Sequence, residues 1–221
     1  MKFQLPDIYP SDYMMTTDYF IWLAVVVIGI ISVMIFFAKI YKVESIQKPY
    51  LYGISFFLLL LTLQRVAYII AVKMNVDYNF WTILGYICSL AGMTCFFLGI
   101  EKSVIRKTKY LLSLTTLLGV LIGLLALFEF LDRDMAMMIT YIISTLATVI
   151  IIALFAWMIS KSTGSIRRKS IITFIGVVVL FAGIMMDSEL VYGNLWPTMP
   201  LIIPPILNSI GLITITITNM R

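Results

Sequence analysis

The chain has 221 residues, of which 62% are hydrophobic and only 12% are charged. A soluble fold of this length cannot hide that much apolar surface, whereas lipid makes hiding it unnecessary. The net charge of +5 does not indicate nucleic-acid binding, because the basic residues of membrane proteins concentrate in cytoplasmic loops. The composition therefore predicts an all-α integral membrane protein.

Histidine is absent from the chain, and its absence excludes several kinds of site. Axial-histidine haem, HExxH zinc sites and histidine-based serine or cysteine triads all require this side chain. Cys88 and Cys95 lie in one apolar stretch, about 10 Å apart along a helix axis, which is too far for a disulfide. We therefore expect no metal, no cofactor and no catalytic residue, and hence no enzymatic activity.

Seven apolar stretches are long enough to cross a bilayer, which takes about 20 residues of helix. Their short connections predict one seven-helix domain over residues 19–221. The first 18 residues carry three aspartates and no apolar core, so they predict a tail rather than a cleavable signal peptide. The predicted spans are Tyr19–Ile40, Tyr50–Met74, Phe80–Ile100, Tyr110–Leu131, Met135–Ser160, Ser170–Asp187 and Met199–Met220.

The distribution of charge predicts the orientation of these spans. The connections after spans one, three and five, together with the C-terminus, hold all of the 16 basic residues except Lys2, Arg65, Lys73 and Arg133. They hold only two of the 11 acids, Glu44 and Glu101. By the positive-inside rule the N-terminal tail is extracytoplasmic and the C-terminus is cytoplasmic, as in a multi-pass protein of the cell membrane.

Arg65 is the one charge deep inside a predicted span, about 22 Å from the cytoplasmic end of its helix. An arginine near mid-membrane costs about 2.5–3.5 kcal/mol on insertion scales, so it should face the interior and have a partner. Thr62 and Tyr68 share its side of the helix. Glu129 and Asp187, near the ends of spans four and six, are the candidate partners.

Two interpretations of this polar group are open. It either lines an outward-opening pocket, where Arg65 meets an anionic ligand or acts as a charge gate, or it is an ion pair that holds the helices together.

The seventh span offers a second candidate, because Pro204 and Pro205 precede Asn208. Proline removes a backbone donor and predicts a kink. A broken helix can bind an ion or substrate, or it can simply bend within the packing.

The proline-rich entry into the seventh span and the turn Asn208-Ser209-Ile210-Gly211 resemble the seven-helix sensory modules of prokaryotic receptor histidine kinases. This resemblance implies a receptor module that either lacks its effector or has a separate protein as its effector, because the sequence ends at Arg221, where the signalling helix of such a kinase would begin. The layout also resembles that of microbial rhodopsins. The last span, however, contains no lysine for a retinal Schiff base.

Three functions follow from these features. The first is a receptor-like or sensory protein with a polar cavity in its outer half, and it ranks first on its topology, its polar outer half and its lack of catalytic groups. The second is a transporter or channel for a small solute or ion, and the third is an accessory subunit of a larger membrane complex. Membrane lipids are expected partners in each case, with a cytoplasmic effector or membrane subunits as protein partners and no nucleic acid.

The predicted topology can be tested by thiol labelling of a chain whose two native cysteines are replaced by alanine. Asp12→Cys and Asp132→Cys should react with an impermeant reagent on intact cells, because both positions are predicted to be extracytoplasmic. Lys107→Cys and Arg168→Cys should react only after the cells are opened. Labelling of the reverse set would invert the topology.

Overall fold

A computed structural model describes residues 17–74, 78–105, 108–187, 191, 196 and 199–220. Within these residues the chain forms helices and no strands, so the predicted all-α membrane-type fold is confirmed. The orientation of the termini stays a prediction, and the predicted tail lies, up to residue 16, outside the described residues. The helices are α1 (Thr17–Ile40), α2 (Lys48–Met74), α3 (Tyr78–Ser103), α4 (Leu111–Leu127), α5 (Arg133–Lys161), α6 (Gly164–Met186) and α7 (Ile203–Met220).

Six of the described helices, all except α4, are long and apolar enough to cross a membrane. The fourth predicted span is too long, because α4 has only 17 residues and measures about 25 Å. The helix ends where Glu129 adopts a left-handed φ of 63° and the Phe130 amide donates to the Leu125 carbonyl at 2.9 Å. This is the hydrogen-bond pattern of a Schellman motif, which closes a helix and turns the chain away.

Other helix ends also differ from the sequence prediction. The sixth helix begins at Gly164 rather than Ser170, because arginine and lysine are good helix formers and extend the helix beyond its apolar part. The seventh begins at Ile203 rather than Met199. It is preceded by a turn in which the Ile203 amide donates to the Pro200 carbonyl at 3.1 Å.

The described chain divides into two compact units. One unit holds residues 29–147, which include α2, α3 and α4. The other holds residues 17–28 and 148–220, which include α6 and α7. Helices α1 and α5 contribute residues to both units.

In the first unit α2 and α3 run antiparallel and approach each other through glycine. A Cβ atom added to Gly99 would lie 2.6 Å from the Pro49 carbonyl oxygen, and one added to Gly53 would lie 2.8 Å from the Cys95 carbonyl oxygen. Both atoms are backbone, which cannot move aside as a side chain can. Glycine at these positions therefore sets how closely the two helices pack and in which axial register.

Helix α4 packs with its small residues inward and its leucines outward. Its buried positions are Ser113, Thr116, Gly119, Gly123 and Ala126. The last of these joins an apolar cluster with Ile83 and Ile87 of α3 and Ala136 and Met137 of α5. Gly119 and Gly123, which have the GxxxG spacing, therefore serve packing within the first unit.

In the second unit α6 and α7 also approach through glycine. A Cβ atom on Gly211 would lie 2.7 Å from the Leu180 Cα atom, and one on Gly183 would lie 2.9 Å from the Pro204 carbonyl oxygen. The same small-residue rule therefore applies to both helix pairs.

Glycine contacts against backbone and against side chains should differ in their sensitivity to substitution. Gly99→Ala should lower the stability of the first unit by about 1–3 kcal/mol, because the new methyl group meets backbone. Gly119→Ala is the matched control, since its Cβ would meet the Leu90 Cδ1 atom at 2.9 Å, the end of a side chain that can rotate. Melting curves in detergent provide the measurement, and equal losses for the two variants would contradict this account.

Candidate functional site

A cluster of polar groups surrounds Tyr68 in the first unit. Gln64 Nε2 donates a hydrogen bond to the Tyr68 hydroxyl at 3.2 Å, and the Arg65 Cζ atom lies 5.7 Å from the centroid of the Tyr68 ring. Gln64 and Arg65 precede Tyr68 by four and three residues on α2. The Tyr68 side chain can therefore contact both the Gln64 amide and the Arg65 guanidinium. Gln64 is only 4% exposed and Arg65 only 5% exposed, although both belong to a membrane-type helix.

The neighbouring helix provides the space for the Tyr68 ring. A Cβ atom on Gly85 of α3 would collide with that ring, so glycine is required where the ring crosses the helix. The ring of Tyr86 meets Tyr68 edge to face, with centroids 6.4 Å apart. We call Gln64, Arg65, Tyr68, Gly85 and Tyr86, together with Thr82, the Tyr68 site.

Two buried polar atoms of the Tyr68 site lack a hydrogen-bond partner within the described residues. They are Gln64 Oε1 and Thr82 Oγ1. Thr82 is 7% exposed and lies one helical turn before Gly85. Turning the Gln64 amide around would leave its nitrogen unpaired instead of its oxygen, because Tyr68 can satisfy only one end. An unpaired buried polar group costs about 1–3 kcal/mol, so these atoms are suited to meet a further polar group.

Two other sequence-predicted residues have their polar groups bonded to backbone. Thr62 Oγ1 donates to the Leu58 carbonyl at 2.8 Å, and the side chain packs against Gly29. Asn208 Nδ2 donates to the Pro204 carbonyl at 2.9 Å. Asn208 belongs to the second unit, whereas Thr62, Arg65 and Tyr68 belong to the first. The participation of any of them in ligand binding stays a prediction.

The expectation that Glu129 is a buried charge is wrong. Its side chain is 77% exposed and forms an ion pair with Arg133 at 3.0 Å. The reason is local, because Glu129 occupies the left-handed position that ends α4. The following Asp132 caps α5, since its Oδ1 accepts the Met135 amide at 2.9 Å. These acids therefore build the connection between the two helices.

The kink predicted at Pro204 and Pro205 is also wrong. Helix α7 begins at Ile203, so both prolines occupy its first turn. Amides in the first turn have no partner within the helix, and proline there removes nothing that the helix uses. Both prolines are buried, so they begin the helix and pack against its surroundings.

Asp187, the other candidate partner of Arg65, follows the last residue of α6. It is half-buried, and its amide donates to the Gly183 carbonyl at 3.2 Å. Its predicted pairing with Arg65 stays a prediction.

A buried carboxylate that the sequence pattern did not indicate lies at the other end of α3. Glu101 is 3% exposed, and its two carboxylate oxygens accept three hydrogen bonds from the start of α4. The Leu112 amide donates at 3.0 Å, the Ser113 amide at 3.2 Å and the Ser113 hydroxyl at 2.7 Å. We call these three residues the Glu101 cap, since they satisfy the free amides at a helix N-terminus from another helix.

The backbone just before the Glu101 cap is strained. Lys109 and Tyr110 are consecutive non-glycine residues with φ values of 48° and 65°. Each residue in this left-handed region costs of order 1–3 kcal/mol and persists only where the surroundings hold it. Tyr110 supplies no side-chain cap to α4, so the carboxylate of Glu101 takes that role.

Signals for the overlooked residues were present but ambiguous. Gln64 is an amide within a run of leucines, and Glu101 is one of only two acids in the predicted cytoplasmic connections. The other, Glu44, is exposed. Sequence position alone does not separate the two acids, because burial of Glu101 depends on where α4 begins relative to α3.

Removing the charge of Glu101 should destabilise the protein. Glu101→Gln weakens the acceptor of two amides and a hydroxyl and should cost about 1–3 kcal/mol. Glu44→Gln, at an exposed acid, is the matched control and should change the melting temperature little. A melting temperature for Glu101→Gln equal to that of Glu44→Gln would contradict the role of the cap.

No protein-family model, no curated protein and no solved structure matches this chain. The function is therefore inferred from the chemistry of its own residues. The residues with the most specific geometry form the Tyr68 site and the Glu101 cap, which lie toward opposite ends of α3.

Proposed function

We propose that this integral membrane protein is receptor-like and binds a small polar molecule at the Tyr68 site. The observation that carries the proposal is Gln64, which is 4% exposed in a membrane-type helix while its Oε1 atom lacks a hydrogen-bond partner. Polar side chains within a membrane span are costly and commonly mark functional sites. By the predicted topology this site faces the extracytoplasmic half of the membrane.

The chemistry of the site favours a ligand that carries hydrogen-bond donors. The Gln64 Oε1 atom can only accept a hydrogen bond, and the Thr82 hydroxyl can both accept and donate one. A hydroxyl or amine group on a ligand could donate to either atom. The guanidinium of Arg65 close to Tyr68 disfavours a metal cation, because like charges repel most strongly where water is scarce.

The packing below the site supports a receptor rather than a transporter. Toward the predicted cytoplasmic end, α2 and α3 carry the buried apolar side chains of Phe57, Leu58, Phe96 and Phe97. The rings of Phe57 and Phe96 lie 5.5 Å apart. These apolar side chains lie between the Tyr68 site and the predicted cytoplasmic end of the helix pair, which favours binding over passage of a polar molecule.

Binding can be tested with lactate, serine and glycerol, each of which carries a hydroxyl donor. At least one of them should raise the melting temperature of the purified protein, because a ligand that binds only the folded state stabilises it. Propionate, which is lactate without its hydroxyl, is the matched control for that compound and should have little effect. Gln64→Leu should abolish the shift.

Two results would contradict the proposal. The first is the absence of any shift, or a shift that persists in Gln64→Leu. The second is accumulation of the stabilising compound, supplied in radiolabelled form, inside proteoliposomes that contain the protein, which would indicate transport. Gln64→Leu should itself fold, because leucine is similar in size to glutamine and removes the unpaired Oε1 atom at the cost of one hydrogen bond of 3.2 Å to Tyr68.

A further inference from the structure

The Tyr68 site and the Glu101 cap lie on one uninterrupted helix. Gly85, which receives the Tyr68 ring, and Glu101 both belong to α3, which runs from Tyr78 to Ser103. They are separated by about 24 Å along the helix axis. A continuous helix moves as a unit, so a displacement at one end reaches the other.

The Glu101 cap is the type of contact that a small displacement can break. Its two amide bonds measure 3.0 and 3.2 Å, and hydrogen bonds weaken steeply once donor and acceptor are more than about 3.5 Å apart. A shift of less than about 1 Å would therefore release α4 from Glu101. The left-handed Lys109 and Tyr110, which directly precede the released residues, could then relax.

We infer that the Glu101 cap is a releasable contact through which occupation of the Tyr68 site changes the connection between α3 and α4. This inference rests on the proposed function. A ligand that engages Gln64 and Thr82 presses on the Tyr68 ring, which has no free space against Gly85. The displacement of α3 lengthens the Glu101 bonds, and the start of α4 is released at the predicted cytoplasmic face.

The cap itself can be tested by hydrogen exchange of the full-length protein in detergent. Exchange at the Leu112 and Ser113 amides should be at least tenfold faster in Glu101→Gln than in the wild type, because their charged acceptor is gone. Ser113→Ala keeps both amide bonds and should give a smaller increase, and it serves if Glu101→Gln cannot be purified. Glu44→Gln, at an exposed acid of another connection, should leave this exchange unchanged.

Coupling between the two ends of α3 requires a second substitution. Gly85→Ala displaces the Tyr68 ring without a ligand and should also accelerate exchange at Leu112 and Ser113. Cys88→Ala is the matched control, because it alters the same helix one turn away and removes only a half-buried thiol. It should leave exchange at the cap unchanged.

The outcomes separate this inference from the function on which it rests. Fast exchange in both Glu101→Gln and Gly85→Ala, with neither control affected, supports it. Fast exchange in Glu101→Gln alone shows a static cap and overturns the coupling, whereas unchanged exchange in Glu101→Gln and in Ser113→Ala overturns the cap. Neither negative result alters the binding of lactate, serine or glycerol, which is measured separately.

Discussion

Close backbone contact between α2 and α3 is the constraint on which the rest of the first unit depends. In lipid, apolar side chains gain little by leaving the solvent, so helices associate through close packing and hydrogen bonds. Gly99 meets the backbone at Pro49 and Gly53, and this contact sets the axial register of the pair. The register in turn places Gly85 against the Tyr68 ring.

The Tyr68 site differs from the other described helices in the hydrogen bonding of its buried polar atoms. Within the described helices most buried hydroxyls donate to the carbonyl four residues earlier, as Ser55, Thr94 and Thr140 do. Such bonds satisfy the hydroxyl locally and require no neighbouring helix. Gln64 and Thr82 each have a buried side-chain oxygen for which the described residues provide no such bond. That contrast, more than the presence of polar residues, singles out this part of α2 and α3.

The sequence predicts the helices well and their ends poorly, for a physical reason. An apolar stretch of about 20 residues specifies a span because the bilayer has a fixed thickness. The end of a helix is decided instead by cap chemistry, and the signals for it are short. Glu129 ends α4 in a conformation usually taken by glycine, so the residue type did not indicate that the helix ends there. The same uncertainty misplaced the prolines of α7, which kink a helix in its middle but suit its first turn.

The candidate site could be predicted only in part. The sequence shows which side chains are unfavourable within a membrane span, but it does not show which residues they contact. Arg65 was identified from its charge within a span, whereas Gly85 matters only because the register of two helices brings Tyr68 to it. Glu101 and Glu44 are alike in the charge pattern, yet only Glu101 is buried. The carboxylate of Glu101 is buried where backbone amides donate hydrogen bonds to it, and a helix N-terminus offers such amides in a fixed direction. The placement of α4 against α3 therefore explains why this carboxylate can be buried.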